Sequence, residues 1–439
     1  MLDVLKNRTY RHLFLAQVIA LVGTGLATVA LGLLAYDIAG SEAGAVLGTA
    51  LAIKMIAYVT VAPVAGAVAE VLPRRAVLVT LDLVRAGVAV FLPFVSEVWQ
   101  VYLLIFVLQS ASAAFTPAFQ ATIPDVLPDE RDYTRALSLS RLAYDLESLV
   151  SPALAALLLT MISFHSLFGG TVIGFLASAA LVVSVILPSH IARERRGIYA
   201  RTTRGLRIYL ATPRLRGLLA ICLAVSAAGS MVIVNTVVFV QAVFGLTQQH
   251  TAWALAAFGG GSMLAALALP RLLDNVEDRP VMLTGAAILI VGLIDAAFID
   301  SYARLLPLWF SLGIGYSIAQ TPSGRLIRRS AHAEDRPALF AAHFALSHAA
   351  WLVTYPLAGW LGAEVGLHVT AIVLAVIATA GLAAAALLWP RSSDTELFHS
   401  HDDLAADDPH LAEGDALQGT RHAHPIVIDR LHPAWPREH

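Results

Sequence analysis

The chain has 439 residues, of which 58% are hydrophobic and 14% are charged, and its formal net charge is −2. Soluble domains contain about 25% charged residues, so this composition and a mean hydropathy of +0.72 exclude an ordinary soluble protein. The single cysteine, Cys222, excludes a disulfide framework and gives no basis for a thiolate metal cluster.

Long apolar segments recur along the whole chain. A helix needs about 20 apolar residues to cross a hydrocarbon core of about 30 Å. The first segment follows a short basic stretch, but it is long and lacks a cleavage site, so we interpret it as a helix and not as a signal peptide. The sequence predicts twelve spanning helices at 12–36, 44–69, 75–95, 99–121, 136–160, 166–188, 215–243, 250–270, 280–299, 304–322, 338–362 and 367–389.

Arginines are concentrated in alternate loops between these segments. Basic residues in short loops are retained on the cytoplasmic side of a membrane. We therefore expect both termini to lie in the cytoplasm. The expected location is a bacterial inner (plasma) membrane. The predicted organisation is an N-terminal six-helix bundle at 1–188, a basic cytoplasmic linker at 189–214, a C-terminal six-helix bundle at 215–390 and a tail at 391–439.

Two proline dipeptides recur with nearly the same spacing in each half of the chain. This repeat predicts an all-α membrane protein with twelve transmembrane helices in two pseudo-symmetric six-helix bundles. Such a duplication is one way to build a central cavity that opens alternately to the two sides. The first half contains Thr116-Pro117 and Ser151-Pro152. The second half contains the corresponding Thr321-Pro322 and Tyr355-Pro356, one residue closer together.

The connection between the second and third segments contains a glycine, an acidic residue four positions later and a pair of arginines. Two further charged residues follow inside the third segment. The connection resembles the loop motif of the major facilitator superfamily, with glutamate in place of the usual aspartate. The resemblance implies that superfamily's fold and a charged gate that holds one conformation. The gate residues are Gly66, Glu70, Arg74, Arg75, Asp82 and Arg85.

Two further resemblances concern the substrate. The stretch from Phe115 to Ala118, followed by Ile123-Pro124, resembles the branch containing drug, macrolide and siderophore exporters. Three other features resemble nickel-resistance exporters of the NreB type: residues 136–147, the histidines and proline of the eleventh segment, and a histidine-rich tail.

Ionisable side chains inside the membrane are costly and normally face a cavity or a partner. Counting about 1.5 Å per residue places Lys54, Asp145 and His348 near mid-membrane, with Arg141 and His343 nearer the cytoplasm. Their shared depth predicts a common site. Lys54, one of only two lysines, is expected to supply electrostatic control.

Helical spacing in the fifth segment places Arg141 and Asp145 on one stripe and Glu147 nearly opposite Asp145. We interpret Arg141 as a residue that neutralises Asp145 and positions the helix. Asp145 is the expected substrate or proton carboxylate, because alternating access requires a group that changes partner or protonation. Glu147 is expected to point towards another helix or a locally unwound turn; with Arg141 it is a further candidate for substrate or proton binding.

The eleventh segment contains His343 and His348, about 140° apart on a straight helix. One straight helix cannot chelate an ion with both. Either one histidine binds substrate while the other bonds to a neighbouring helix, or Pro356 distorts the helix and changes their directions. Imidazole suits nickel, zinc and cobalt and titrates near neutral pH.

The tail contains seven of the fifteen histidines together with ten acidic residues. Its low apolar content predicts a disordered cytoplasmic segment. We expect it to collect metal ions weakly, the alternative being a solvated acidic tail. The candidate metal ligands are His399, His401, His410, His422, His424 and His432.

These features together favour a secondary exporter of a divalent transition metal, nickel first and then cobalt or zinc, driven by proton antiport. No enzyme activity, cofactor or nucleic-acid partner is expected, and the protein is expected to be a monomer in the lipid bilayer. Two alternatives remain: an exporter of an organic solute, drug or siderophore, and a membrane-anchored metal sensor or buffer. A wide cavity lined by aromatic residues would favour the organic solute.

Overall fold

The structure is a computed structural model. It describes residues 2–69, 73–187, 198–273, 275–332 and 335–390, and the tail segments 397–400, 415–418, 421–424, 426–428, 431–432 and 435.

The described chain is predominantly helical. Fourteen α-helices are present in these residues: α1 Arg8–Ala39, α2 Ala43–Ala69, α3 Arg74–Phe91, α4 Val98–Val126, α5 Glu130–Leu158, α6 Phe164–Val183, α7 Ile198–Ala211, α8 Pro213–Val237, α9 Gln248–Leu273, α10 Asp278–Ala296, α11 Tyr302–Gln320, α12 Ser323–Arg329, α13 Arg336–Glu364 and α14 Leu367–Leu388. Short 3-10 helices occupy Leu2–Lys6, Gly40–Glu42 and Leu92–Phe94, and a π-helix at Val238–Val243 extends α8.

Twelve of these helices coincide with the twelve predicted segments, to within about six residues at each end. Nine stretches of the described chain are long and apolar enough to cross a membrane, and one of them, Arg8–Val61, covers both α1 and most of α2. Helices α5 and α11 are long but less apolar. The fold is the expected all-α membrane architecture of two six-helix bundles, with α1–α6 in the first half and α8–α11, α13 and α14 in the second.

The start of α1 and the linker helix α7 lie at one face of the bundle, which we call the terminal face. The opposite face, where Gly40–Glu42 joins α1 to α2, is the distal face. The repeat differs in one detail at the terminal face. In the first half α4 continues through Thr116 to Val126, whereas in the second half α11 ends at Gln320, and the short helix α12 follows Pro322.

The two halves touch closely at the distal face. A Cβ placed on Gly48 would lie 2.5 Å from the carbonyl oxygen of Tyr355, so the backbones of α2 and α13 meet where only glycine fits. The indole Nε1 of Trp360 donates to the Thr49 hydroxyl at 3.0 Å. On the other side of the bundle, the Gln249 amide donates to the carbonyl of Leu159 at 2.9 Å.

Short segments of the tail have regular backbone structure in the described residues. Three short strands, β1 Leu397–Ser400, β2 Asp415–Gln418 and β3 Arg421–His424, form an antiparallel sheet in the order β1-β3-β2. After β3, Ile426 and Ile428 are buried, and Ile428 belongs to the main hydrophobic core. These two isoleucines give the segment after β3 an apolar anchor on the helices.

Candidate functional site

Lys54 lies in α2 inside the first half. Its Nζ is 6.0 Å from the ring centroid of Tyr58, one helical turn further along. On its other side Lys54 lines a cavity of about 10 Å³ between α1, α2, α4 and α6. This volume corresponds to about one water molecule.

The polar lining of this cavity comes mainly from α1 and α4. Thr24 and Thr28 line it from α1, and Gln109 and Ser112 line it from α4. Gln109 is 6% exposed, and its Oε1 has no hydrogen-bond partner among the described residues. A buried amide oxygen of this kind is costly unless water or another polar group reaches it. The cavity therefore suits a polar occupant beside Lys54.

Glu147 approaches the same region from α5. A Cβ placed on Gly25 of α1 would lie 2.8 Å from Oε1 of Glu147, so this carboxylate sits in the notch that the glycine leaves. Glu147 and Lys54 also attract one another electrostatically. The structure thus brings Glu147 of α5 towards Lys54 of α2. Sequence spacing had directed Glu147 away from the stripe of Asp145, without naming the residue that it approaches.

The side chains of Arg141 and Asp145 lie outside the described part of the structure. Both positions fall within α5, whose backbone is described. The proposed proton or substrate role of Asp145 therefore remains a prediction.

His348 lies between the two halves. Its ring stacks on that of Tyr58 with centroids 6.0 Å apart and planes at 7°, and it also contacts the ring of Phe344. The His348 Nδ1 donates to the carbonyl oxygen of Phe344 at 2.7 Å. Lys54, Tyr58, Phe344 and His348 form what we call the interhalf cluster.

His343 has a different environment. A hydrogen bond of 2.9 Å joins its Nδ1 to the hydroxyl of Tyr209 in the linker helix α7, and the two rings stack. Burial raises the pKa of Tyr209, so its hydroxyl stays protonated near neutral pH. The two histidines of α13 therefore have separate partners, as the straight-helix argument requires.

The predicted gate motif is only partly described. Glu70 lies outside the described residues, and Gly66 falls near the end of α2. Arg74 begins α3 and is buried, with Nε 3.8 Å from Oδ2 of Asp125 at the end of α4. Arg75 donates to the carbonyl of Val183 at the end of α6. These contacts hold the start of α3 against two other helix ends of the first half.

Asp82 and Arg85 lie deeper inside the first half. They form a buried ion pair, and the Ser178 hydroxyl donates to Oδ2 of Asp82 at 2.7 Å. The Arg85 guanidinium lies over the rings of Phe115 and Phe175, 4.2 and 4.5 Å from their centroids. This pair ties α3 to α6, and aromatic faces satisfy the cation.

The second half contains a charge cluster that sequence reasoning missed. Asp278, fully buried at the start of α10, accepts from Nε of Arg325 at 2.9 Å, and Nη2 of Arg329 is 2.9 Å from its other oxygen. It occupies the terminal face, as the pair of Arg74 and Asp125 does in the first half. The repeat could have identified it, because Asp278 follows the connection between α9 and α10 just as Arg74 follows that between α2 and α3.

The tail histidines are described unevenly. His401 and His410 lie outside the described residues, and His399, His422 and His424 are described as positions in strands. His432 is buried. Among residues whose side chains are described, no group of three or more His, Cys, Asp or Glu is close enough to hold a metal ion.

Comparison with known proteins identifies the family. The sequence is 27% identical to the multidrug efflux pump Tap of Mycobacterium tuberculosis over 398 residues, which cover 86% of this chain and 93% of Tap. It is 25% identical to the uncharacterized MFS-type transporter YfiS of Bacillus subtilis, but over 47% of this chain and about half of YfiS (51%). Macrolide efflux protein A of Enterococcus faecalis is 26% identical over 32% of this chain and 47% of its own length.

Solved structures share the fold at low sequence identity. A crystal structure of the nucleoside transporter NupG superimposes with a TM-score of 0.67 at 14% identity, covering 87% of this chain and all of NupG. A bacterial homologue of the lysosomal transporter Spinster, in its inward-facing and occupied form, gives a TM-score of 0.67 at 12% identity, covering 86% of this chain and 96% of that protein. The sequence pattern of the Major Facilitator Superfamily matches residues 13–249 and 219–407, so it spans both six-helix halves. The chain is a membrane transporter of the Major Facilitator Superfamily.

Proposed function

We propose that the protein is a secondary active exporter of an organic solute of the drug class. The observation that carries this proposal is the similarity to Tap, a multidrug efflux pump, along 93% of its length. A shared fold alone would not support a substrate class. Similarity to the macrolide efflux protein over part of the chain points the same way.

The pair of Lys54 and Glu147 supports coupling of export to protons. A carboxylate inside the membrane is costly unless a cation or a proton neutralises it. In the described conformation Lys54 is a cation that attracts Glu147 electrostatically, without an ion pair within 4.0 Å between the two side chains. Uptake of a proton by Glu147 would release Lys54 from this attraction, so substrate and proton could compete for one pair of charges as the halves rock. Asp145 stays a candidate for the same function.

The interhalf cluster supports an organic rather than a metallic substrate. Tyr58, Phe344 and His348 pack their rings together between the two halves, with Tyr58 stacked on His348 and Phe344 tilted against both. Flat rings suit organic molecules, whereas a metal ion requires converging donor atoms. His343 and His348 have separate partners, which weakens the case for nickel. A membrane-anchored metal sensor or buffer has less support. Its helices would serve only as an anchor, and an anchor does not require two matched six-helix halves.

The bacterial relatives support a bacterial plasma-membrane location, and the arginine distribution supports an orientation with the terminal face in the cytoplasm. Export then moves solute from the terminal face to the distal face. We propose a monomer as the functional unit, since each chain contains both halves of the repeat.

The proposal is tested with inverted vesicles that contain the full-length protein. A proton gradient, acid inside, is imposed, and uptake of a fluorescent cationic dye, ethidium, is followed alongside uptake of radioactive nickel. Glu147→Gln is compared with Asp295→Asn. Asp295 is half-exposed, pairs with Arg304 and lies at the distal end of α10, so it is a matched carboxylate control.

We expect gradient-dependent ethidium uptake in the wild type and in Asp295→Asn, little uptake in Glu147→Gln, and no nickel uptake. Nickel uptake without dye uptake would replace the organic solute with a metal. Dye uptake that persists when the gradient is collapsed would remove proton coupling, and full activity in Glu147→Gln would remove this carboxylate from the mechanism.

A further inference from the structure

The tail sheet aligns histidines that are far apart in sequence. β1 pairs with β3 so that His399 is opposite His422 and Leu397 is opposite His424. β2 pairs with the other edge of β3, with Ala416 opposite His422. The three strands therefore form one small sheet with β3 at its centre.

Register and strand periodicity place three of these histidines on one face. Residues directly opposite one another in an antiparallel pair share a face, with Cβ atoms about 4.5–5.5 Å apart. Residues two apart on one strand also share a face. His399 and His422 are opposite one another, and His424 is two residues beyond His422. All three thus occupy the same face of the sheet.

Three imidazoles are a recurrent ligand set for a divalent transition metal. Zinc is commonly bound by three protein ligands with a fourth position left for water or another oxygen, and imidazole also suits nickel and copper. Sequence spacing alone would instead give two separate pairs, His399 with His401 and His422 with His424. The cross-strand register joins one member of the first pair to both members of the second.

The sheet is attached to the helices immediately after β3. Arg214, buried at the start of α8, donates from Nη2 to the carbonyl of Ile426 at 3.3 Å, and its guanidinium lies 5.4 Å from the ring centroid of Trp435. Ile426 and Ile428 are buried in the same region. The second half therefore constrains the chain directly after β3 and reduces the entropy cost of forming the sheet.

We propose that His399, His422 and His424 form one binding site for a divalent transition metal on the tail sheet. The site is separate from the proposed export of an organic solute, and much of the tail lies beyond residue 407, where the family match ends. Metal binding at these positions would stabilise the pairing of β1 with β3, because the three positions are divided between the two strands.

The test titrates full-length protein in detergent with zinc ion by calorimetry at pH 7.5. His399→Ala, His422→Ala and His424→Ala are compared with His410→Ala and His439→Ala, which remove one tail histidine each outside the proposed site. We expect one tight zinc ion per chain, an affinity at least about tenfold lower in each of the first three variants, and no change in the two controls. Unfolding midpoints without zinc verify that the variants remain folded.

His401→Ala separates the cross-strand site from two local pairs. A cross-strand site predicts that this variant binds zinc as the wild type does. Two tight ions per chain, or a loss in His401→Ala equal to that in His399→Ala, would overturn the proposal in favour of local pairs. Affinity unchanged by His399→Ala, or lowered equally by every histidine substitution, would also overturn it.

Discussion

The ring of Tyr58 in α2 stacks on the ring of His348 in α13, although the two residues belong to different halves of the molecule. Lys54, one turn from Tyr58, connects this stack to Glu147 and to the cavity of the first half. A movement of one half against the other must separate or slide these rings. The stack of Tyr58 on His348 is therefore a described contact that links Lys54 to the second half.

Replacement of His348 tests whether stacking or imidazole chemistry matters. His348→Phe retains a flat ring, whereas His348→Ala removes it. An aromatic pair contributes about 0.5–1.5 kcal/mol, so we expect export by the alanine variant to fall by about two- to tenfold and export by the phenylalanine variant to stay near wild type. The measurement is the initial rate of ethidium uptake into inverted vesicles.

The same assay at pH 6 and pH 8 provides the control for His348. If imidazole binds metal or carries a proton, His348→Phe should be as defective as His348→Ala and should alter the ratio of the two rates. Such a result would contradict a stacking role.

Part of this arrangement was accessible from the sequence. Counting residues from each helix start placed Lys54 and His348 at one depth, because a straight helix converts sequence distance into depth. Both side chains lie close to the ring of Tyr58. Rotation was harder to predict. The partner of Glu147 depends on Gly25 in another helix, and the ring that joins Lys54 to His348 comes from Tyr58, an ordinary interfacial residue by sequence.

A methyl group on Gly48 should prevent closure of the distal face. Its Cβ would meet the carbonyl of Tyr355 at 2.5 Å, and a backbone atom cannot move aside as a side chain can. Overpacking of this kind costs about 1–3 kcal/mol. We expect Gly48→Ala to shift the population towards a distally open state by about tenfold for each 1.4 kcal/mol.

Closure can be measured by thiol crosslinking between Thr49→Cys and Trp360→Cys, because these side chains are in contact when the face is closed. Gly48→Ala should lower the yield. Gly87→Ala is the matched control, since nothing lies within 4 Å of a Cβ placed there. Equal crosslinking yields in Gly48→Ala and Gly87→Ala would mean that the contact between α2 and α13 adjusts to the added methyl group without opening the distal face.

Asp278 should stabilise the second half. It is fully buried and holds two arginines that are 39% and 36% exposed in their side chains. Asp278→Asn removes the charge that both arginines contact, and we expect it to lower the free energy of unfolding by about 1–3 kcal/mol. Thermal unfolding in detergent provides the measurement.

Asp300→Asn is the control for this prediction. Asp300 also pairs with an arginine, Arg304, but at the surface, where such pairs contribute at most about 1 kcal/mol. A larger loss in Asp300→Asn than in Asp278→Asn would contradict the stabilising role of the buried cluster. Local spacing could not reveal Asp278, because its partners Arg325 and Arg329 lie about fifty residues away in the sequence; only comparison of the two halves of the repeat could have identified this position.

The hydroxyl of Tyr209 should hold the linker helix against the second half. Tyr209→Phe removes the hydrogen bond to His343 while keeping the stacked ring, at a cost of about 1 kcal/mol. The ion pair of Arg204 with Asp335 remains. We expect faster trypsin cleavage within α7 in this variant.

The rate of cleavage at Arg204 and Arg207 measures release of the linker. Tyr102→Phe, which removes a hydroxyl from α4 on the first half, should leave that rate unchanged. The same acceleration in both variants would show a general loss of stability and not release of α7.

Lys54 and Glu147 should be coupled in stability as well as in transport. Lys54→Met leaves a carboxylate without its cation inside the membrane, and Glu147→Gln leaves an ammonium without its anion, so each single substitution should be destabilising. The double variant leaves no unpaired charge. We therefore expect it to be more stable than the sum of the single effects predicts, by about 0.5–3 kcal/mol.

Thermal unfolding of the four proteins of this cycle in detergent measures the coupling. The cycle is repeated with Asp145→Asn in place of Glu147→Gln, because Asp145 is the carboxylate that sequence spacing favours. Additive effects in the first cycle together with coupling in the second would transfer the partnership with Lys54 to Asp145. Coupling in the first cycle alone assigns the partnership with Lys54 to Glu147, because the effects of two substitutions depart from additivity only when the two residues interact.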